Sequence, residues 1–234
     1  RFLTRQAAER AVMILAEAFE MNVSIAPTNE APHVVNAPAP PGRRASRAFL
    51  EYANDAQLPG LAILGYRPRA RRRSLLEIPP TIDRAPVVSV AHDAFRNDAL
   101  LTCVALPAGT RCIGARAFSG CRALEEFDAT EGLQTLGEDA FADCVALASI
   151  SWKEGYLSIG PRAFANCAAL KRLELPPGLR EIGNAAFAGC VARRAVMLPR
   201  GLVSIGLAAF ENCPRLETVR APKGTAVRRD LFPD

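Results

Sequence analysis

From Val87 to Leu231, apolar and polar positions recur with a single period. Ala-Phe pairs stand at Ala94-Phe95, Ala117-Phe118, Ala140-Phe141, Ala163-Phe164, Ala186-Phe187 and Ala209-Phe210, each 23 residues after the last. Three residues beyond the phenylalanine come Cys121, Cys144, Cys167, Cys190 and Cys213. A period of this length marks a stack of repeats, because one such unit cannot bury its apolar face alone. The copy from Leu170 to Cys190 gives the skeleton L-x-x-L-x-L-P-x-G-L-x-x-I-G-x-x-A-F-x-x-C. Leu173 and Leu175 alternate with Arg172 and Glu174, which predicts a strand buried on one side. Pro176 has no amide donor and ends that strand. Gly178 and Gly183 recur where the chain turns, and Gly178 is expected to use positive φ. Leu179 and Ile182 begin a second extended segment. The stretch from Ala186 to Cys190 is expected to form a helical or 3₁₀ turn.

Upstream the pattern changes. Ala8, Val12, Leu15 and Phe19 share one face of a helix over residues 4–21, with Thr4 as its N-cap. Five prolines in residues 23–43 give linker composition. Phe49, Leu50 and Ala53 predict a second short helix near 45–56, and Leu61 to Tyr66 a short strand. Arg67 to Arg73 holds five arginines in seven residues and reads as a basic linker. Leu76-Glu77-Ile78-Pro79 looks like half a repeat and opens the array. The division is therefore a helix at 1–22, a Pro/Ala-rich linker at 23–43, a short helix and basic linker at 44–74, and a solenoid at 75–234.

The units resemble the BspA-like leucine-rich repeats, whose hallmark is I-G-x-x-A-F-x-x-C-x-x-L-x-x-I-x-L-P. Ile113-Gly114 to Leu124, Leu136-Gly137 to Leu147, Ile159-Gly160 to Leu170 and Ile182-Gly183 to Cys190 carry the resemblance. It implies an α/β to mainly β fold, a solenoid of about six to seven 23-residue rungs, to which the upstream periodicity adds a partly helical N-terminal segment. It also implies a strand-lined face that binds other macromolecules, and a cell-surface or secreted adhesion role as one alternative. Departures are Asp98 at a cysteine position, Thr130 and Lys153 at proline positions, and Arg193 at a leucine position. The last unit degrades from Pro222 to Phe232, as a terminal cap does.

Charge adds little to this picture. Residues 1–86 carry 12 arginines and 8 acids, and the remainder 17 basic and 16 acidic groups. The array is thus nearly neutral, and only the N-terminal part is basic. Nucleic-acid contact through Arg67–Arg73 is the weaker alternative, since no aromatic side chain interleaves the run for base stacking. No apolar stretch reaches the 18 residues or more of a membrane span. Asn22-Val23-Ser24 matches a glycosylation triplet, a pattern frequent by chance.

The chain offers no catalytic constellation. Its two histidines, His33 and His92, have no motif company. Lys223-Gly224-Thr225 lacks the glycine-rich turn of a phosphate loop. No cysteine pairing has zinc spacing, so neither metal nor cofactor is expected. Stacked cysteines would sit about 4.8 Å apart with side chains parallel, and buried free thiols are expected. Unpaired thiols lean slightly toward a cytoplasmic setting.

The expected function is a non-enzymatic protein-interaction scaffold. Its candidate surface comprises the solvent-facing strand positions and their neighbours: Glu125, Glu126, Asp128, Ser151, Trp152, Lys171, Arg172, Glu174, Arg194 and Met197. Acid concentrates at Glu125, Glu126 and Asp128, and base at Lys171, Arg172 and Arg194. Separated signs suit a protein partner. Trp152 stands at a leucine position, as a core filler or as a binding anchor.

Overall fold

A computed structural model describes residues 44–45, 49–67, 74–155, 157–170, 173–190 and 195–221. The expected helix at 4–21, the linker at 23–43, most of the arginine run and the terminal cap lie outside these residues. Among the described residues every regular element is a strand.

Strands β1 (Arg44–Ala45), β2 (Leu50–Asn54) and β3 (Leu61–Tyr66) precede the array. The first rung holds β4 (Leu75–Glu77), β5 (Thr81–Ile82) and β6 (Ala85–Val90). Later rungs contribute β7 (Cys103–Ala105), β8 (Cys112–Ile113), β9 (Glu126–Asp128), β10 (Thr135–Leu136), β11 (Ser149–Ser151) and β12 (Leu157–Ile159). Then follow β13 (Leu179–Ile182), β14 (Ala195–Met197), β15 (Ser204–Ile205) and β16 (Thr218–Arg220).

One long sheet runs β1-β2-β3-β6-β8-β10-β12-β13-β15, with β5 paired to β6. A second runs β11-β9-β7-β4, and β14 pairs with β16. The repeat sets the register. Ile113 pairs with Leu136, Leu136 with Ile159, Ile159 with Ile182, and Ile182 with Ile205. A slip of one residue would turn all of these side chains away from the core.

The phenylalanine ladder fills the interior. Phe95, Phe118, Phe141, Phe164, Phe187 and Phe210 are at most 2% exposed. Successive ring centroids lie 5.2–5.6 Å apart with interplanar angles of 4–14°. Burial of each ring contributes roughly 1.5–3 kcal/mol, and each aromatic pair adds about 0.5–1.5 kcal/mol. At the N-terminal end Tyr66 meets Phe95 edge-on, 5.0 Å away at 77°.

Four local expectations are corrected. The helix near 45–56 is instead β2, antiparallel to both β1 and β3. As a strand it buries Leu50, Tyr52 and Ala53 and pairs its backbone on both sides, and β3 in turn joins β6. The sheet thus continues upstream of residue 75. Leu173–Leu175 is not a hydrogen-bonded strand, although Leu173 is buried and Glu174 exposed as the alternation requires. Of the recurring glycines Gly155 does use positive φ (148°), but Gly178 does not. A Cβ there would lie 1.6 Å from the Gly155 carbonyl oxygen, so the position is glycine because two backbones nearly touch.

The Ala-Phe segment is not helical either. In the second rung the Ala117, Ser119 and Cys121 amides donate within the turn, to Gly114, Arg116 and Phe118. The alternate amides of Arg116, Phe118 and Gly120 donate to Glu138, Ala140 and Ala142 of the next rung. This alternation requires left-handed residues two before and two after each phenylalanine. Arg116 (φ 55°) and Gly120 (φ 72°) flank Phe118, and Asp139 (φ 53°) and Asp143 (φ 60°) flank Phe141. The same pair recurs in all six rungs. Every second amide thereby ties one rung to the next.

Candidate functional site

The sheet β11-β9-β7-β4 buries its middle positions, Leu76, Val104 and Phe127, and presents the flanking ones to solvent. Short strands with period-two alternation produce this division directly. Leu75 pairs with Cys103, Cys103 with Glu126, and Glu126 with Ser149. In the adjacent row Glu77 pairs with Ala105, and Asp128 with Ser151. All four members of that second row are exposed. Met197 and Arg220, paired on β14 and β16, are exposed at equivalent repeat positions.

This arrangement brings Glu126, Asp128 and Ser151 onto one surface, with exposed Glu125 at its margin. Exposed Glu174 lies outside any ladder. Met197 sits on the separate β14–β16 pair and is 59% exposed. Trp152 is half-buried, packed on the core and edge-on to Phe164 at 6.0 Å. Lys171, Arg172 and Arg194, with Arg193, lie outside the described residues. Glu77 is an acidic member of the surface that the reading of exposed strand positions missed. The signal was its place between Leu76 and Ile78, equivalent to Ala105 between Val104 and Leu106.

The electrostatics follow from these residues. Strands β4, β7, β9 and β11 carry Glu77, Glu126 and Asp128 and no Lys or Arg. Burial raises the Cys103 thiol pKa, and the Asp128 and Glu126 carboxylates raise it further. The thiol is thereby kept protonated, the opposite of an activated nucleophile. Burial pushes the register cysteines up as well, Cys121 and Cys190 to about 12. His92 is exposed. Among the described residues no three His, Cys, Asp or Glu side chains cluster to hold a metal ion. No described helix is long and apolar enough to cross a membrane. The described part of this surface carries short side chains and negative charge.

The model of the BspA type leucine rich repeat region matches six copies over residues 88–217. The chain belongs to this family. BspA-type repeat proteins generally act as protein-interaction scaffolds. The leucine rich repeat protein of T. pallidum is similar at 30% identity and a TM-score of 0.64, over 74% of this chain and 90% of that one. A leucine-rich repeat protein of Bacteroides ovatus is 25% identical with a TM-score of 0.55, over 76% of this chain and 53% of that one. A leucine rich cell surface protein of Faecalibacterium prausnitzii shares the fold at 22% identity and a TM-score of 0.57, over 78% and 55% respectively. The chain thus spans about half the length of these last two. Comparison with curated proteins gives no match.

Proposed function

We propose that this BspA-type chain is a non-enzymatic scaffold that holds a protein partner on the strand-lined face. One observation carries the reading: Glu77, Ala105, Asp128 and Ser151 form an exposed row on a rigid, register-locked sheet. Exposed positions on fixed strands offer a partner a surface that loses little entropy on binding. The acidic content of the surface, from Glu126 as well as Glu77 and Asp128, favours a partner whose contact surface is basic.

Affinity capture with the full chain tests this. The variant Glu126→Lys/Asp128→Lys/Ser151→Arg is expected to lose the partner that the unaltered chain retains. The control Gln134→Glu/Ser204→Arg, at exposed positions beside β10 and on β15 of the long sheet, is expected to keep it. Equal capture by both variants would remove the strand-lined face from the account.

A further inference from the structure

The N-terminal end of the array is stepped. On the long sheet, β3, β2 and β1 continue past the first rung. Among the described residues no strand does so on the strand-lined sheet, and β4 is its edge. Parallel pairing uses alternate residues of a strand. The Ser74 carbonyl accepts from Cys103, and the Ile78 amide donates to Ala105. Leu75 and Glu77 therefore aim their amide and carbonyl groups away from β7, at the open edge. Leu75 is 44% exposed there. Beside the edge lies an open cleft of about 420 Å³ lined by Phe49, Ser74, Leu75 and Glu77.

An open strand with free donors and acceptors is a template for another strand. We propose that an extended segment of a partner protein, with lysine or arginine alternating with apolar residues, adds to β4 as a further strand. This rests on the scaffold reading and deepens it by naming the partner's chemistry and its point of entry. Backbone bonds to Leu75 and Glu77 would supply generic affinity. Phe49, at the cleft and packed against the core, would receive the apolar side chains, which alternation places on the face opposite Glu77. Glu77, with Asp128 and Glu126 beyond it on the same face, selects basic over acidic neighbours.

The test uses the full chain and two fluorescent pentapeptides, Lys-Val-Lys-Val-Lys and Glu-Val-Glu-Val-Glu, with anisotropy as the readout at low salt. The lysine peptide is expected to bind saturably, at least about tenfold tighter than the glutamate peptide. Leu75→Pro removes the amide that faces the open edge together with an exposed leucine side chain, at a place where strands tolerate proline. It is expected to weaken the lysine peptide by about tenfold or more, with the circular dichroism spectrum and unfolding midpoint unchanged. Glu77→Lys, a surface change, is expected to reverse the peptide preference. Absence of saturable binding overturns the proposal, including the case in which a segment of this chain already fills the edge. Unchanged binding by Leu75→Pro also overturns it. Ser151→Trp, on the face but away from the edge, separates the two readings. Peptide binding lost there and kept in Leu75→Pro retains the face and rejects the edge.

Discussion

Cys144 donates its thiol hydrogen to the Phe118 carbonyl across 26 residues, with Sγ 3.2 Å from the oxygen. The same bond joins Cys121 to Phe95, Cys167 to Phe141, Cys190 to Phe164 and Cys213 to Phe187. The recurring cysteine is therefore more than a small apolar filler. It bonds each turn to the one before while occupying a narrow space. At the first rung the position is Asp98, whose carboxylate accepts the Leu100 amide and leaves Oδ2 buried without a hydrogen bond.

Removing one thiol from the middle of the stack should cost both packing and that bond. Cys167→Ala is expected to destabilise the chain by about 1–2 kcal/mol, since the Phe141 carbonyl keeps its bond from the Cys144 amide. Urea unfolding measures this. A loss below about 0.3 kcal/mol would show that the thiol contact contributes nothing.

The left-handed positions carry a second expectation. Ala185 (φ 53°) bears a side chain in a conformation that costs an L-residue about 1–2 kcal/mol. Ala185→Gly is expected to stabilise by about 0.5–1 kcal/mol, after the larger unfolded-state entropy of glycine is deducted. Gly189→Ala should do the reverse and more, because its Cβ would also lie 2.6 Å from Asn166 Oδ1. Unfolding midpoints that moved in the same direction for both would contradict the turn geometry.

These turns show where the sequence is readable and where it is not. The phenylalanine and isoleucine ladders follow from spacing alone, because equivalent residues stack on equivalent residues. Half of the left-handed sites were also written in the sequence. Two residues past each phenylalanine stand Asn97, Gly120, Asp143, Asn166, Gly189 and Asn212, all of types that tolerate positive φ. Strand β2 could not be read locally. Phe49, Leu50 and Ala53 fit a helical face as well as a strand, and the free edge of β3 decides between them. Among the candidate surface residues, period two placed Glu126, Asp128 and Ser151 on one sheet. The same alternation turns Trp152 inward, edge-on to Phe164.

A pH dependence follows from the ladder of charges along the turns. Arg116 donates Nε and Nη2 to the two oxygens of Asp93, each at 2.9 Å, and Arg162 donates to Asp139 at 2.8 Å. The Arg116 hydrogen bonds hold the Asp93 carboxyl below its ordinary value despite partial burial. A carboxyl depressed in the folded state stabilises above its unfolded pKa, near 4, and loses that contribution as pH falls through the folded value. The melting-temperature gap between the unaltered chain and Asp93→Asn should stay constant above about pH 5 and close below about pH 4. A gap that persisted at pH 2 would rule out the pairing as its source.

The account stands on the continuous phenylalanine stack, and Phe164 lies in its middle, 5.3 Å from Phe141 and 5.4 Å from Phe187. The most direct measurement is the unfolding free energy of Phe164→Ala in urea. Loss of a fully buried ring with a stacked neighbour on each side predicts a destabilisation of about 3–5 kcal/mol. A change below about 1 kcal/mol would mean that the ring faces solvent and that the rungs are not piled as described.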